Sequence, residues 1–321
     1  MTNLTHYSAL LEKELNEEQF PATPQHLYDP LRYFMQLGGK RLRPMLSLMA
    51  CKMTSGTAET ALPVALAVEY FHNFSLIHDD IMDAAPLRRA QPTVHEKWNT
   101  NIAILSGDVL LVRAYDCLAQ YEPVLFKALF HNFNKTATEV CEGQQMDMDF
   151  EQRTNVSEAE YIEMIRLKTS VLLGCALQMG ALVGKASSEN AQLLYQFGEQ
   201  LGLAFQIQDD ILDLYGESAQ VGKQTGGDVL ANKKTLLSIA AQHMANPKQL
   251  EQLALLATHP DPVLKVAQTK TLYEEIGALA YCKKRMEAYH QNALSALKNM
   301  AHKNDQNELL ELANFLLNRA H

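Results

Sequence analysis

Two stretches of the chain share one pattern, an apolar run with helical periodicity that ends in three aspartates. The carboxylates are Asp79, Asp80 and Asp83 in the first stretch and Asp209, Asp210 and Asp213 in the second. Residues i and i+4 lie one above the other on the same face of an α-helix. The spacing therefore predicts two helices, each with a face of carboxylates near its end.

Carboxylates packed this closely repel one another, and like charges at that spacing cost a few tenths of a kcal/mol in an ordinary helix. The arrangement suits a site that contains cations, and hard oxygen ligands favour Mg²⁺ carried on a phosphate over zinc. A single triplet is more often a solvated helix end than a site. Two triplets are hard to explain as surface, and two facing carboxylate clusters could clamp a substrate diphosphate through several metal ions.

The rest of the sequence predicts an all-α protein. Its 15 glycines and 11 prolines are clustered, and between the clusters the apolar residues recur at intervals of three and four. We find no alternating pattern typical of strands and no polar linker, which favours a single domain over residues 1–321. The expected helices cover residues 3–19, 27–37, 58–83, 101–120, 123–149, 157–183 and 188–215, and amphipathic helix follows over 230–319 with breaks near Pro247 and Pro260.

The composition argues against several classes of protein. The 321 residues are 47% hydrophobic, enough for a sizeable core, and the net charge of −9 argues against a broad nucleic-acid surface. The five cysteines are widely spaced and mostly in apolar helical context, so we expect reduced core residues of a cytoplasmic protein. We expect no signal peptide, and no apolar run approaches the ~18–20 residues of a membrane span.

A basic segment lies near the start of the predicted fold. Gly38 and Gly39 precede Lys40, Arg41 and Arg43, and this combination suits the binding of phosphate oxygens. A solvated basic turn explains the segment equally well when it is considered alone.

Other polar residues interrupt the apolar helices. His72 lies two turns before Asp79 on the same face, although a histidine on an apolar helix is more often a core residue than a ligand. Arg88 and Arg89 follow the first triplet, where they could compensate its charge or hold phosphate oxygens. Lys168 lies within an apolar segment and needs a partner to keep its proton, a role that a phosphate would fill.

A glycine-rich loop with Lys223 follows the second triplet, from Gly216 to Asp228, and leads to Lys233. The spacing of a Walker loop and the strand before it are absent. A basic loop beside a cluster of metal and phosphate is better interpreted as a lid.

Together these motifs resemble those of the trans-isoprenyl diphosphate synthases, the polyprenyl synthetase family, over the chain from about Leu27 to Arg319. The matching motifs, in family order, are Gly38-Gly39-Lys40-Arg41-Leu42-Arg43-Pro44, Asp79-Asp80-x-x-Asp83 with Arg88-Arg89, Gly143-Gln144 with Asp147, Lys168-Thr169, Phe205-Gln206 with Asp209-Asp210-x-x-Asp213, Lys223 and Lys233. The resemblance implies an isoprenoid synthase fold, with about ten or more helices around a deep central cavity, usually in a homodimer. It also implies head-to-tail condensation of isopentenyl diphosphate with an allylic diphosphate, assisted by about three Mg²⁺ ions.

The resemblance assigns roles to individual residues. It implies that Mg²⁺ is bound by Asp79, Asp83 and Asp209, with Asp80, Asp210 and Asp213 in support. The allylic diphosphate is expected to bind to Arg88, Lys168, Thr169, Gln206, Lys223 and Lys233. Isopentenyl diphosphate is expected to bind to Lys40, Arg43, His72 and Arg89. Lys168 and Lys223 also count as catalytic, because cations stabilise the leaving diphosphate. In the family the departing pyrophosphate is thought to remove the proton, so no side-chain base is needed.

Product length depends in this family on bulky residues four and five positions before the first aspartate, which close the cavity floor. Here those residues are Ser75 and Phe74. A single aromatic argues against long products, and the first motif lacks the two-residue insertion typical of bacterial farnesyl synthases. The comparison favours geranylgeranyl diphosphate (C20), with farnesyl diphosphate (C15) as the alternative.

Two other functions fit part of the sequence. A class I terpene cyclase also uses an aspartate-rich Mg²⁺ site on an all-α fold, but it usually lacks the second aspartate triplet and needs no isopentenyl site. A regulatory subunit of a heteromeric synthase tends to lose one aspartate motif, and both are intact here.

Overall fold

The computed structural model describes residues 2–17, 20–216, 225–300 and 306–317. Helices account for nearly all of the regular structure in these ranges, which confirms the predicted all-α class. The helices are α1 (Thr2–Glu17), α2 (Gln25–Gln36), α3 (Leu42–Met53), α4 (Leu62–Met82), α5 (Val94–Lys97), α6 (Thr100–Leu118), α7 (Pro123–Glu151), α8 (Glu158–Ile165), α9 (Val171–Val183), α10 (Ser188–Tyr215), α11 (Gly227–Leu230), α12 (Leu236–Met244), α13 (Pro247–Ala257), α14 (Pro262–Ile276), α15 (Ala278–Lys298) and α16 (Asn307–Leu317).

The helices group into two compact units. The described residues of unit 1 fall within 1–138, 172–198 and 299–309, and those of unit 2 fall within 139–171, 199–298 and 310–321. The chain passes from one unit to the other inside α7, α10 and α16, at the start of α9 and at the end of α15. A single domain over the whole chain stays a prediction.

In unit 1, α4 is the central helix, and it packs against α3 and α6. Because it has neighbours on several sides, its apolar residues are not confined to one stripe, and Val64, Val68, Phe71 and Ile77 are all buried. This packing fixes the end of α4, where the first aspartate triplet begins at Asp79.

In unit 2, the second half of α10 carries an apolar stripe with a spacing of three to four residues. Leu203, Ile207, Ile211 and Leu214 are buried in one cluster with residues of α8, α12 and α15. The stripe fixes the rotation of α10 and therefore the directions in which Asp209 and its neighbours leave the helix.

The structure differs from the predicted elements at several places. Two helices, α3 (Leu42–Met53) and the short α5 (Val94–Lys97), lie in segments for which no helix was predicted. The predicted helix 58–83 begins with a 3₁₀ turn, Ala58–Ala61, before α4. The predicted helix 157–183 is interrupted by a π-helical turn, Arg166–Ser170. A short antiparallel ribbon, β1 (Leu87–Arg88) and β2 (Gln91–Pro92), lies where no strand was expected.

Two expectations from composition can be checked. All five cysteines are free, and four are buried, but the core context expected for cysteine is wrong at Cys141, which is exposed. No helix of the described residues is both long enough and apolar enough to cross a membrane.

Candidate active site

The three carboxylates of the first triplet differ in exposure. Asp80 is buried, with 2% of its side chain exposed, and it accepts hydrogen bonds from Arg88 Nε at 2.9 and 2.8 Å. Burial raises the pKa of Asp80, and Arg88 opposes this shift. Asp79 is 21% exposed and lies 3.4 Å from Arg88 Nη2, and Asp83 is exposed. The triplet therefore presents Asp79 and Asp83 to solvent, while Arg88 neutralises its buried member.

A two-residue hairpin turn places Arg88 and Arg89 beside this triplet. The turn residues, Arg89 and Ala90, have φ angles of 53° and 60°. Both values are left-handed, as in the type I′ turns that Asn-Gly usually forms. Non-glycine residues are strained in this region, and such strain is concentrated at functional sites. Since Arg-Ala is not a turn signal, this ribbon could not be predicted from the sequence.

Gly39, which follows Gly38 in the chain, brings the backbone next to Arg89. The φ angles of Gly38 and Gly39 are 77° and 137°, which side-chain-bearing residues rarely adopt. A Cβ at Gly39 would lie 2.7 Å from Arg89 Nη2. A residue other than glycine at position 39 would therefore displace the Arg89 guanidinium.

His72 lies among the arginines of unit 1. Its Nε2 is 3.2 Å from Arg43 Nη1. Burial lowers the pKa of His72 well below its usual value, and Arg43, Arg88 and Arg89 lower it further. His72 is therefore neutral at pH 7, and its Nε2 accepts a hydrogen bond from Arg43. Lys40 is exposed just before this group.

The second triplet, in unit 2, divides in the same way as the first. Asp209 is exposed, whereas Asp210 is buried. Asp210 accepts a hydrogen bond from the Tyr161 hydroxyl and a second, of 3.3 Å, from Gln206 Nε2. Burial raises the pKa of Asp210 to about 7, against the opposing effect of Tyr161.

Asp213, the third member, holds the start of α11. Its carboxylate accepts a hydrogen bond from the backbone N–H of Asp228 at 3.0 Å, and its carbonyl accepts one from Gly226 at 2.6 Å. Lys265 is buried and donates to two oxygens in the turn between α11 and Lys233. These bonds fix the backbone that carries Lys233.

The π-helical turn positions Lys168 and Thr169. An extra residue in one helical turn changes the direction of the side chains, and π turns inside helices occur frequently at functional sites. Gly143 of α7 lies against this turn, where a Cβ would be 2.2 Å from the backbone nitrogen of Lys168. The absence of a side chain at Gly143 lets α7 approach the turn closely.

Asp147 contacts Lys168 and Lys233, two of the residues predicted to bind the allylic diphosphate. Its Oδ2 lies 2.7 Å from Lys168 Nζ and 3.9 Å from Lys233 Nζ. Asp147 supplies the partner that the sequence predicts for Lys168, and contact with a phosphate stays a prediction. Beside them, Thr169 Oγ1 donates to Gln206 Oε1 at 3.3 Å. The structure thus brings four of the predicted allylic-site residues together in unit 2.

Some residues of the site were missed, and one lies outside the structure. Sequence analysis gave no role to Tyr161, because a tyrosine at an apolar helical position is usually a core residue, nor to Glu69 of α4. Asp147 entered only as part of a motif. Lys223 and most of the predicted lid lie outside the described residues.

The donor chemistry of both triplets fits Mg²⁺. Asp79, Asp83 and Asp209 reach solvent, whereas Asp80 and Asp210 are buried and held by protein donors. Mg²⁺ usually combines one or two carboxylates with water and substrate phosphate oxygens. Within the described ranges, no three His, Cys, Asp or Glu side chains lie close enough to hold a metal ion by themselves. A magnesium site here would be completed by substrate oxygens.

An all-α fold with two aspartate triplets, each in a unit that also places lysine or arginine groups nearby, defines a class of diphosphate-binding enzymes. The chain belongs to the polyprenyl synthetase family, and the match to the family covers residues 24–276. It is therefore a prenyltransferase, which confirms the enzyme class expected from the sequence. Prenyl diphosphate synthases of this family are generally Mg²⁺-dependent and act on isopentenyl and allylic diphosphates.

Similar proteins span nearly the whole chain. A geranylgeranyl diphosphate synthase of Methanosarcina mazei is 38% identical over 306 residues, which are 94% of this chain and 93% of that protein. A geranylfarnesyl diphosphate synthase of Natronomonas pharaonis is 33% identical over 347 residues, covering 100% of both. A crystal structure of a geranylgeranyl pyrophosphate synthase has a TM-score of 0.94 and 41% identity over 99% of each chain. The predicted isoprenoid synthase fold is confirmed.

Proposed function

We propose that this enzyme condenses isopentenyl diphosphate head-to-tail with allylic diphosphates and that its main product is geranylgeranyl diphosphate (C20). The observation that carries the proposal is that each aspartate triplet combines a buried carboxylate held by the protein with at least one open carboxylate, Asp79 and Asp83 in the first triplet and Asp209 in the second. The names of similar proteins support the product length, since both geranylgeranyl synthases described above align with almost the entire chain.

In unit 2, the allylic diphosphate is bound by Lys168, Thr169, Gln206 and Lys233. The two ammonium groups share Asp147 and lie in a setting where phosphate oxygens can replace water as their other partners. These cations stabilise the negative charge that develops on the diphosphate as the allylic C–O bond breaks. The roles of Arg88 and Lys223 toward this diphosphate stay predictions from the family resemblance.

In unit 1, isopentenyl diphosphate is bound by Lys40, Arg43, His72 and Arg89. Neutral His72 uses one donor of Arg43 and orients the guanidinium, whose other donors are suited to bidentate contact with phosphate. Lys40 adds a flexible point charge.

Asp79 and Asp83 in unit 1 and Asp209 in unit 2 would each offer a carboxylate to Mg²⁺, about three ions in all, and substrate oxygens would complete the coordination. Bound Mg²⁺ supplies charge neutralisation for the leaving diphosphate. Asp80 and Asp210 keep their helices and neighbours in place through Arg88 and Tyr161. The homoallylic double bond then attacks the allylic cation, a C–C bond forms, and a proton is lost to the departing diphosphate.

A product assay tests this function. The purified chain receives Mg²⁺, excess isopentenyl diphosphate and, separately, dimethylallyl, geranyl or farnesyl diphosphate, and the products are sized by mass spectrometry. A C20 end point from all three primers is expected. A stop at C15 would overturn the product length alone, whereas hydrocarbon or alcohol without isopentenyl incorporation would indicate a terpene cyclase. No turnover by the chain alone would indicate a regulatory subunit.

Phe74 is expected to limit product length. Its half-buried ring lies 5.7 Å from the ring of Phe71 and 4.6 Å from that of His78, while the neighbouring Ser75 uses its hydroxyl on a backbone carbonyl. Replacing Phe74 with alanine removes the larger of the two side chains and should shift the main product to C25 or longer. Phe315→Ala, at an exposed aromatic of α16, is the control and should leave the distribution at C20. An unchanged distribution in Phe74→Ala would show that another residue closes the floor.

We also propose a homodimer in the cytoplasm. Among the described residues, α6 exposes Leu105 and Val112, at 58% and 59%, two turns apart on one face. Light scattering should give a mass twice the 36.0 kDa of one chain. Leu105→Glu with Val112→Glu should reduce the mass toward that of a monomer if this face forms the interface. The cytoplasmic location stays a prediction from the reduced cysteines.

A further inference from the structure

A buried ion pair connects the basic loop before α3 to α4. Arg41 Nη1 pairs with Glu69 Oε1, and only 7% and 3% of the two side chains are exposed. Arg41 Nη2 donates to the carbonyl of Met35 in α2 at 2.8 Å. The backbone of Arg41 is left-handed, with φ of 45°, directly before α3. One arginine side chain therefore fixes the loop against both α2 and α4.

The carboxylate of Glu69 is held from a second side. Asn73 Nδ2 donates to Glu69 Oε1 and to the Glu69 carbonyl, each at 2.7 Å. Asn73 is completely buried, and Glu69 is 2% exposed. The bonds from Arg41 and Asn73 hold the buried Glu69 carboxylate in one orientation.

Both members of the pair lie next to residues proposed to bind isopentenyl diphosphate. Arg41 stands between Lys40 and Arg43 in the chain. Glu69 precedes His72 by three residues, so the two lie on the same face of α4. The pair thus fixes the loop that supplies two cations relative to the helix that supplies the imidazole.

Glu69 also balances charge among the arginines of unit 1. Burial lowers the pKa of Arg89, Arg41 lowers it further, and Glu69 acts in the opposite direction. The carboxylate of Asp80, the other buried acid near these arginines, accepts a hydrogen bond from Arg88. Glu69 therefore neutralises Arg41 and reduces the excess of positive charge around Arg89.

We propose that Glu69 and Arg41 are positioning residues for the homoallylic diphosphate. Neither touches the substrate in this proposal. Their pairing orients the loop so that Lys40 and Arg43 can contact the diphosphate. It also keeps the Arg41 guanidinium out of the isopentenyl diphosphate site. The inference rests on the proposed function of unit 1, because it concerns the same substrate.

Glu69→Gln tests the proposal with little change of shape, because the amide can still accept from Asn73 while the charge is lost. The KM for isopentenyl diphosphate should rise by about tenfold. The KM for the allylic substrate and kcat at saturation should change by less than about threefold, since misplacement affects binding of one substrate. Glu69→Asp keeps the charge and should restore part of the affinity.

A control variant in unit 2 tests whether the loss of any pair of arginine and carboxylate raises this KM. Glu158→Gln removes the carboxylate of another arginine pair, Glu158 Oε1 to Arg285 Nε at 2.7 Å in unit 2, and should leave the KM for isopentenyl diphosphate unchanged. If Glu69→Gln does not fold, Arg41→Gln serves instead, because Asn73 still holds Glu69 there.

The outcomes distinguish this inference from the proposed function. Normal KM values for isopentenyl diphosphate in both Glu69→Gln and Arg41→Gln would overturn the inference and leave the proposed function intact. Equal increases in both substrate KM values would also overturn it, since that result indicates a structural role only. Absence of isopentenyl incorporation by the unaltered enzyme would overturn the proposed function itself.

Discussion

Replacement of Asp79 with alanine is expected to lower kcat by about 10³-fold, the loss typical when a group that stabilises developing charge is removed. Asp79 is one of the open carboxylates, and it lies at the C-terminal end of α4, where the helix dipole is negative. Its loss also relieves repulsion from Asp83 at i+4. The melting temperature should therefore stay the same or rise slightly while activity falls.

The measurement is kcat at saturating substrates over a range of Mg²⁺ concentrations, together with thermal unfolding without Mg²⁺. Asp116→Ala is the control, since Asp116 is an exposed aspartate of α6 that forms a 4.0 Å pair with Arg113. It should retain full activity. Full activity in Asp79→Ala would remove Asp79 from the proposed metal site, and a strong fall in melting temperature would assign it a structural role.

The positions of the triplets and of most helices could be predicted from the sequence because both follow local patterns. The helix α3 was missed, since most of its residues are buried and form no single apolar stripe. Apolar spacing gave α10 its observed bounds, 188–215. The division of each triplet into open and buried carboxylates could not be predicted in this way. It depends on Arg88, which a strained hairpin returns to Asp80, and on Tyr161, which approaches Asp210 from another helix.

The π-helical turn at Arg166–Ser170 shows a similar limit. The apolar residues continue through it, so the pattern predicts one uninterrupted helix. What distinguishes the turn is its contact with other helices, at Gly143 of α7 and at Gly202 of α10, where a Cβ would lie 2.7 Å from Ser170 Cα. Contacts between distant parts of the chain set the direction of Lys168, and no local pattern contains them.

The two units share one arrangement of charge. In unit 1 Glu69 holds Arg41, and in unit 2 Asp147 holds Lys168. A group of cations is unstable without anions, and the substrate is absent for part of each catalytic cycle. These shielded acids keep the neighbouring cations oriented when no diphosphate is bound. Sequence analysis identified the cations because they occur in clusters, whereas single acids on helices resemble ordinary surface residues.

Gly143→Ala is expected to destabilise the enzyme by about 1–3 kcal/mol, the usual cost of overpacking. Alanine raises helix propensity by up to about 1 kcal/mol over glycine, so any net loss must come from contact. The new Cβ would lie 2.2 Å from the backbone nitrogen of Lys168 and 2.7 Å from its Cα. Backbone atoms cannot rotate away as a side chain can, so α7 and the π-helical turn must move apart.

The same movement separates Lys168 from Asp147, because the first lies on the turn and the second on α7. The KM for the allylic diphosphate should therefore rise by about tenfold, while the KM for isopentenyl diphosphate stays within about threefold of the original value. Denaturant unfolding and the two KM values check this. Gly227→Ala is the control for stability, since its Cβ would meet Asp213 at an ordinary 3.4 Å. Unchanged stability in Gly143→Ala would mean that α7 can shift without strain. An unchanged KM for the allylic diphosphate would show that the position of the π-helical turn does not affect binding of this substrate.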